Sequence, residues 1–422
     1  MRALLLFSVV ALSVVLLRLW SSEPVQEADA SVVEASARFL APPQGAATLV
    51  QQEVAAPSGK VAAANPAAIK PDPLVEGQAR DEAELAVAAA LVHGTPADVQ
   101  AAATRLPRPR ALMAEAFAWA MAGEHELAVS LSSSIPRGES PAGEEALLES
   151  ALSGKAAAPA SSGSGSSLQL AMEMLLLARD ARELMASGQH ASAAKGFSSL
   201  LVSELEAPWI ADDGVLEEWS RELNEAQSHH RWNPRGSWPA VELEVKSGDS
   251  LISIRKRYLA EHPNSLMCTG LIKRANDVKG FLQPGQVLRI PTDEVRVLVD
   301  LSARWALYFL GDEASGAWRV GVGRAGEETP PGDYAVKDKI ENPPWMKVGQ
   351  EAIPFGDPRN PLGTRWIGWE QAGRKTSYGF HGTTSPESIG KAESDGCVRF
   401  RNEDIEVLFD ILPEGAPIRI QG

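Results

Sequence analysis

Cysteine is scarce in this sequence, which has only Cys268 and Cys397 among 422 residues. Two cysteines would suffice for one disulfide, but they lie in segments that we interpret as separate modules. A free thiol therefore needs another reason, and a catalytic nucleophile is one. For Cys268, in "NSLMCTGLI", the simpler interpretation is a small buried apolar side chain.

The sequence also lacks an excess of positive charge and a long apolar run. The net charge of -15 argues against sequence-independent nucleic-acid binding, which depends on lysine and arginine. The apolar stretch Ala3–Leu17 is shorter than the roughly 20 residues that span a membrane. It predicts a signal peptide or membrane anchor over residues 1–20, with no following cysteine to carry a lipid. We expect an exported, periplasmic or cell-wall-facing protein; cleavage and inner-membrane anchoring both stay open.

The length indicates two or three domains at about 150 residues each, and the composition changes along the chain. Residues 21–80 are rich in Ala, Pro and Gln without periodicity, which predicts a disordered spacer. Residues 81–230 have helical spacing of apolar residues, interrupted by a linker near 154–168. The segment "ARELMASGQHASAAKGFSSLL" resembles a tetratricopeptide helix pair with Gly188 at its turn. This all-α region is either a spacing scaffold or a protein-docking surface.

Residues 241–292 predict a small strand–helix–helix–strand unit. "VKSGDSL" breaks the first strand and starts a helix, and "LQPGQVLRIP" makes a turn into the last strand. These motifs resemble a LysM module, a fold that binds N-acetylglucosamine-containing glycans such as peptidoglycan in a groove between two loops. The resemblance implies glycan contacts by these residues: Gly248, Asp249, Ser250, Gln283 and Pro284. Helix capping and turn formation are the alternative roles.

Residues 294–422 are β-rich, with short strands separated by turns, which suggests a sandwich or a partly closed barrel. Aromatic residues in the first strands are core candidates: Trp305, Tyr308, Phe309 and Trp318. The following section, "NPPWMKVGQEAIPFGDPRNPLGTRWIGWE", has too many prolines for a continuous helix. Its tryptophans, with Trp366 among them, favour an ordered section that lines or covers a site.

A histidine and a cysteine sixteen residues apart follow in "HGTTSPESIGKAESDGCVRFRN". A thiol becomes nucleophilic when a base takes its proton or when positive potential favours the thiolate. His381 can be that base for Cys397, and Arg399 brings positive charge. Gly396 removes a side chain beside the thiol, so that backbone N–H groups can face a developing oxyanion. Asn402 is expected to cap the helix that runs on to Leu412.

Five segments of this region resemble the L,D-transpeptidase catalytic domain family: "VGVGRAGEETPPGDY", "NPPW", "DPRNPLGTRWIG", "HGTTSPESIG" and "SDGCVRF". The resemblance implies that Cys397 attacks the third residue of a peptidoglycan stem peptide and expels the terminal D-alanine. The thioester then passes to an amine of another stem. The reaction needs no cofactor and no metal.

The same resemblance implies roles for further residues. The Gly382 carbonyl would orient the second nitrogen of His381, and Ser394 would shape the turn. Arg399 would hold a substrate carboxylate or form a structural salt bridge, and Trp366 is a candidate for substrate binding.

One position departs from the family pattern, because Asp395 stands where the family most often has histidine. At about 5 Å and an effective dielectric near 20, its carboxylate would disfavour the thiolate by roughly 3 kcal/mol, or about two pKa units. Pairing with Arg399, Arg401 or Lys391, or exposure to solvent, would reduce that penalty. Asp395 is therefore an uncertain candidate for the site.

The leading expectation is an exported L,D-transpeptidase with an appended glycan-binding module. An L,D-carboxypeptidase with water as acceptor, or a catalytically silent peptidoglycan-binding scaffold, are the alternatives. The expected partners are peptidoglycan stems and glycan strands, and a protein bound by the helical region; nucleic acid is not one. Neither the acceptor nor the oligomeric state can be predicted.

Overall fold

A computed structural model describes residues 82–422 except 137, 156–165, 207–212 and 347–350. The predicted signal peptide or anchor (1–20), the predicted spacer (21–80) and most of the predicted linker lie outside the described residues. Within those residues, no helix has both the length and the apolar character needed to cross a membrane.

Eight described helices occupy the region before residue 230. They are α1 (Glu82–His93), α2 (Pro96–Ala103), α3 (Arg108–Met121), α4 (His125–Ser132), α5 (Ala142–Ser153), α6 (Ser167–Ala186), α7 (His190–Glu206) and α8 (Asp213–His229). The turn between α6 and α7 has Gly188 at φ +78°. A Cβ on Gly196 would lie 2.9 Å from the Ala181 Cβ, so small residues let these two helices approach closely. The tetratricopeptide assignment itself stays a prediction.

The next unit has the order strand, helix, helix, strand. Its elements are β1 (Ala240–Glu244), α9 (Leu251–Glu261), α10 (Thr269–Ala275) and β2 (Val287–Pro291), with β1 antiparallel to β2. Its apolar residues, including Ile254, Leu271 and Ile290, are buried in one core with the sheet that follows. A unit this small buries little surface alone, so the shared core stabilises it.

The remaining strands build a curled sheet. They are β3 (Val295–Asp300), β4 (Trp305–Leu310), β5 (Glu313–Arg319), β6 (Val322–Gly323), β7 (Gly332–Glu341), β8 (Arg365–Gln371), β9 (Arg374–His381), β10 (Ala392–Ser394), β11 (Val398–Arg399) and β12 (Pro417–Gln421). Eight of them pair in the order β11-β9-β8-β7-β12-β3-β4-β5, while β10 pairs separately with β6. Gly321, just after edge strand β5, bridges Arg399 in the opposite edge strand β11. The two edges therefore meet, as in a partly closed barrel.

Strand β4 is buried on both faces, which explains its apolar sequence "WALYFL". Trp305, Leu307 and Phe309 pack into the core of the helical region. Ala306 and Tyr308 point into the curled sheet, where Trp318 also lies. The prediction that the four aromatic residues of β4 and β5 belong to the core is confirmed.

Helices α7 and α8 cover the edge strand β5. Ser220 Oγ donates to the Ala317 carbonyl at 2.8 Å, and Gln227 Nε2 donates to the Ala314 carbonyl at 2.8 Å. Ser198 Oγ accepts from the Ala314 N–H at 2.9 Å. Edge strands otherwise expose unpaired backbone groups. The helical region thus supplies hydrogen-bond partners to backbone groups at this edge of the sheet.

Helix α11 (Asn402–Ile411) buries one apolar face against the sheet. The expectation that Asn402 is its N-cap is wrong, because Arg401 occupies that position without a side-chain hydrogen bond. At the other end Tyr308 Oη donates to the Ile411 carbonyl at 3.2 Å, and Lys339 Nζ donates to the Leu412 carbonyl at 2.8 Å. Cys268 Sγ lies 3.3 Å from the Asp410 carbonyl oxygen. The thiol of Cys268 therefore sits where the βααβ unit meets α11.

Candidate active site

His381 ends strand β9 and is 3% exposed. Its Nδ1 lies 2.5 Å from the carbonyl oxygen of Gly382, the contact that was predicted. A carbonyl can only accept, so Nδ1 carries a proton and the neutral ring leaves Nε2 as the base. Burial lowers the pKa of His381 to about 4, and the Arg399 charge acts in the same direction, while the Gly382 and Leu362 carbonyls oppose them. The imidazole is therefore neutral at neutral pH.

Cys397 directly precedes β11 and is partly buried, with Sγ 3.8 Å from the Ser377 carbonyl oxygen. Burial raises the pKa of its thiol to about 11. The Gly379 N–H and Arg399 act against that rise, and Asp395 adds the smallest contribution to it. The residue consequently rests as a thiol and needs a base to become nucleophilic.

The parallel pairing of β9 and β11 brings the two residues together. Arg399 pairs with His381 and Val398 pairs with Phe380. The same register continued by one step sets Cys397 beside Gly379, in agreement with the contact between the Gly379 N–H and the thiol. Side chains alternate along a strand, so Cys397 and His381 are diagonal neighbours on one face. A thiol and a neutral imidazole on the same face of paired strands are the two groups that a cysteine nucleophile with a general base requires.

The turn before Cys397 is held by Ser394. Its buried Oγ donates to the Cys397 carbonyl at 2.5 Å and accepts from the Gly396 N–H at 3.1 Å. The prediction that Ser394 shapes the turn agrees with these bonds. The expectation that the Gly396 N–H faces an oxyanion needs correction, because Ser394 Oγ already takes this donor. Gly396 has φ +102°, and a Cβ there would lie 2.8 Å from the Tyr378 ring, so the turn requires glycine.

Asp395 forms an ion pair at the surface. Its Oδ1 lies 2.5 Å from Nη1 of Arg324, and both side chains are more than half exposed. Of the two alternatives that the sequence offered, the exposure of Asp395 agrees with the structure, whereas none of the three suggested partners pairs with it; Lys391 pairs with Glu393. Arg324 also donates its backbone N–H to the Ser394 carbonyl at 3.0 Å, so the partner of Asp395 is itself hydrogen-bonded to the turn before Cys397.

A row of paired residues crosses the sheet at His381. Ile340 of β7 pairs with Trp366 of β8, and Trp366 pairs with His381 of β9. The indole stacks beside the imidazole with ring centroids 6.2 Å apart and donates through Nε1 to Asp338 at 3.2 Å. Trp366 is half-buried, so it presents a flat apolar surface directly beside the base.

Arg399 ends that row and is half-buried. Its Nε is buried without a hydrogen-bond partner, and no ion pair to its guanidinium occurs among the described residues. The structural salt bridge that was the alternative role for Arg399 is thus absent from the part of the chain that the structure describes. Its charge acts on both His381 and Cys397.

Asn402 is a site residue that sequence reasoning missed. Its Oδ1 accepts from the backbone N–H groups of Thr364 (3.2 Å) and Thr383 (3.1 Å), and its Nδ2 donates to the Thr383 carbonyl at 2.9 Å. A Cβ on Gly382 or Gly363 would lie 2.2 Å from Asn402 Oδ1. Asn402 therefore positions the Gly382 carbonyl that binds His381. The sequence features that could have indicated this role of Asn402 are the dipeptides Gly363-Thr364 and Gly382-Thr383.

The proline-rich section is anchored by Asn360, which is 3% exposed. Its Nδ2 donates to the Pro343 and Ile353 carbonyls at 2.9 and 3.1 Å, and its Oδ1 accepts from the Leu362 N–H at 3.0 Å. The end of the section contacts the base through the Leu362 carbonyl. The described part of this section therefore borders the site.

The residues predicted to bind glycan lie on two adjoining loops. Val245 joins the loops, since its N–H donates to the Gln286 carbonyl and its carbonyl accepts from the Gly285 N–H, both at 2.8 Å. Asp249 accepts from the Lys246 N–H at 2.8 Å and pairs with Arg257 at 2.9 Å, and these bonds lower its pKa to about 2. Ser250 caps α9 in a capping box with Ser253.

The second loop holds Gln283 and Pro284. The Gln283 carbonyl accepts from the Gln286 N–H at 3.0 Å, and Gly285 follows Pro284 at φ +84°. Both loops are thus shaped by their own residues. In the described part of the chain, no group of three or more His, Cys, Asp and Glu residues is arranged to hold a metal ion.

Comparisons with known proteins indicate the family of the C-terminal domain. Residues 294–420 match the family model of the L,D-transpeptidase catalytic domain, YkuD. Two proteins of Bacillus subtilis (strain 168) that are named as L,D-transpeptidases are similar to the chain. YqjB is 37% identical over 125 residues, covering 29% of this chain and 69% of the relative. YkuD is 27% identical over 183 residues, covering 42% and 96% respectively.

Among solved structures, an L,D-transpeptidase from Mycobacterium smegmatis shares 18% sequence identity, with a TM-score of 0.26 over 34% of this chain and 76% of that chain. The family match and the similarity to YqjB assign the C-terminal domain. The chain belongs to the L,D-transpeptidase family, and residues 294–420 are its catalytic domain.

Proposed function

We propose that the protein is an exported L,D-transpeptidase that crosslinks peptidoglycan stem peptides through a thioester on Cys397. The single observation that carries the proposal is the placement of Cys397 one diagonal step from a buried, neutral His381 whose Nδ1 binds the Gly382 carbonyl. The family membership supplies the substrate class, since such enzymes act on peptidoglycan stems.

In the first half-reaction Nε2 of His381 takes the proton of the Cys397 thiol while Sγ attacks the carbonyl of the third stem residue. The C–N bond to D-alanine then breaks, and the imidazolium returns the proton to the leaving amine. The guanidinium of Arg399, which forms no ion pair with the residues that the structure describes, is suited to a carboxylate of the stem. The indole of Trp366 offers an apolar wall beside the reacting carbonyl.

In the second half-reaction an amine of another stem attacks the thioester, Nε2 removes a proton from it, and the C–S bond breaks to restore the thiol. Water in place of the amine would give an L,D-carboxypeptidase with the same residues. The products separate the two outcomes: a crosslinked dimer requires an amine acceptor, and a shortened monomer requires water.

Incubation of the purified protein with tetrapeptide-containing muropeptides should release D-alanine and form crosslinked dimers. Cys397→Ala should abolish both products, and Cys268→Ala is the matched control that should keep them. Acylation of Cys397 by a carbapenem, read by intact-mass spectrometry, tests the nucleophile independently of the acceptor. Dimers formed by Cys397→Ala would contradict the proposal, and absence of any carbapenem adduct between pH 6 and 9 would favour the silent scaffold.

We further infer that the βααβ unit is a LysM module that binds peptidoglycan glycan strands across its two joined loops. The bonds between Val245 and the 285–286 turn support one continuous binding edge. Asp249 and Ser250 are occupied by bonds to Lys246 and to residues of α9, so their part is to shape the loop. Titration with N-acetylglucosamine oligomers should show binding that Gln283→Ala weakens and that Cys397→Ala leaves unchanged. Undiminished affinity in Gln283→Ala would contradict the assignment of that residue.

A further inference from the structure

Arg319, the last residue of β5, joins the helical region to the catalytic domain. Its guanidinium pairs with Asp213 and, at 3.2 Å, with Glu217, two carboxylates one turn apart on α8. The arginine side chain is only 23% exposed, whereas each carboxylate is about half exposed. The helix thus holds a largely buried cation at the end of the edge strand.

The same guanidinium lies flat against Gly390, in the loop between His381 and Cys397. A Cβ on Gly390 would meet Arg319 Nε at 2.3 Å and Cζ at 2.5 Å, and Gly390 has φ +81°. No side chain larger than hydrogen fits between this turn and the arginine. The turn therefore rests directly on a residue that α8 holds in place.

From Gly390 to Cys397 the loop follows the segment after Arg319. The Gly390 N–H donates to the Val320 carbonyl at 3.1 Å, and the Val322 N–H donates to the Lys391 carbonyl at 2.9 Å. Strand β10 then pairs with β6, and Gly321 bridges Arg399. A displacement of Arg319 would therefore be passed along a hydrogen-bonded segment to the turn that presents the thiol.

We propose that Arg319 is a positioning residue, through which helix α8 sets the conformation of the 390–397 loop and thereby the reactivity of Cys397. The helical region then acts as part of the catalytic unit. The inference rests on the proposed function only for the choice of substrate, because loop order and thiol reactivity can be measured without turnover.

The chain offers a closely matched control for this contact. Arg182 of α6 also pairs with two carboxylates of α8 one turn apart, Glu222 at 2.7 Å and Glu218 at 3.3 Å. Its ion pairs join two helices of the helical region. Arg182→Ala likewise removes a cation that pairs with two carboxylates of α8, and it leaves the contact between Arg319 and Gly390 in place.

The experiment compares Arg319→Ala, Arg319→Lys and Arg182→Ala in the full chain. Arg319→Ala should speed amide hydrogen exchange of the peptide covering residues 390–397 on the order of tenfold, the signature of local opening. The carbapenem acylation rate of Cys397 should fall by roughly tenfold, since misplacing a reacting group by about 1 Å can cost on the order of a hundredfold. Arg319→Lys should recover part of both effects, and Arg182→Ala should change neither.

A double-mutant cycle isolates the contact with the glycine. Gly390→Ala introduces both a strained φ and a collision with Arg319, whereas Gly188→Ala introduces a similar strain with nothing within 4 Å. Gly390→Ala should slow acylation, and adding Arg319→Ala should cost less than the sum of the single changes because the collision is gone. Gly188→Ala should leave acylation as in the native protein.

Three results would overturn the inference: an unchanged exchange rate and acylation rate in Arg319→Ala, equal effects of Arg182→Ala and Arg319→Ala, or strict additivity in the cycle. Alkylation of Cys397 by iodoacetamide provides a readout that requires no peptidoglycan chemistry. If the native protein turned over no muropeptide, the proposed function would fail while exchange and alkylation still decided the role of Arg319.

Discussion

Replacing Asp395 by asparagine removes a carboxylate two residues before the nucleophile and preserves its size. In the structure this carboxylate pairs with Arg324 and is more than half exposed. Burial is the main reason that the pKa of Cys397 is raised to about 11, and Asp395 contributes least. The substitution should therefore change the pKa of the thiol little, which is the weaker of the two effects that the sequence left open.

The magnitude follows from the exposure of the carboxylate. Two unit charges about 5 Å apart interact by about 0.8 kcal/mol in water, which corresponds to about 0.6 pKa unit. The opposite charge of Arg324 offsets part of that value. We expect Asp395→Asn to lower the pKa of Cys397 by less than about half a unit, against about two units for an unpaired carboxylate in a medium of dielectric near 20.

The assay is the rate of iodoacetamide alkylation at the peptide that contains Cys397, followed from pH 6 to 11 by mass spectrometry. Arg324→Gln is the matched control, because it leaves the carboxylate unpaired and should move the profile to higher pH. A shift of more than about one unit toward lower pH in Asp395→Asn would refute the reasoning, since it would place the carboxylate in a low-dielectric path to the thiolate. An unchanged profile in Arg324→Gln would show that solvent alone screens Asp395.

The remaining predictions concern the base, the loop that holds it and the helical region. Burial lowers the pKa of His381 to about 4, so kcat/KM for D-alanine release should stay level at neutral pH. It should fall only as the pH approaches about 4, because the imidazolium that forms there cannot accept the thiol proton. A midpoint near pH 6.5 would contradict a buried base. Asn402→Ala loses three hydrogen bonds, each worth about 1 kcal/mol, and should lower the free energy of unfolding in urea titrations by about 2–3 kcal/mol. An unchanged urea midpoint would contradict this prediction. Glu144 is fully buried against Arg110, so Glu144→Ala should destabilise the protein by about 3–5 kcal/mol. The double variant with Arg110→Met and Glu144→Leu should recover much of this loss, because it leaves no unpaired charge between the two residues. An equal loss in the double variant would contradict this account.

Local sequence patterns were sufficient for the element types around the site. Alternating apolar residues predicted the strands. The turn-rich run before the last helix predicted that Cys397 lies on a turn ahead of that helix. The contact between His381 and the Gly382 carbonyl was implied by the family resemblance, and it joins neighbours in the chain. The roles of the site residues stay proposals until the variants described above are measured.

Partners that lie far apart in the chain could not be predicted. The sequence allowed Asp395 either exposure to solvent or a nearby basic partner, and the side chain is exposed, but its partner Arg324 comes from the segment after β6, which pairs with β10. The Gly396 N–H was expected to face substrate, but a buried Ser394 takes it. Asn402 was expected to cap a helix, but its amide binds two loops that only the sheet register brings together.

The sequence by itself determined the chemistry of this protein: a thiol, an imidazole with a carbonyl beside it, and a family pattern around them. Only the tertiary structure decided how those groups are tuned and held, because burial, charge pairing and strand register depend on residues distant in the chain. It placed Arg324 on Asp395, left Arg399 unpaired among the described residues, and set helix α8 against Arg319. Such contacts arise from packing, which no local pattern encodes.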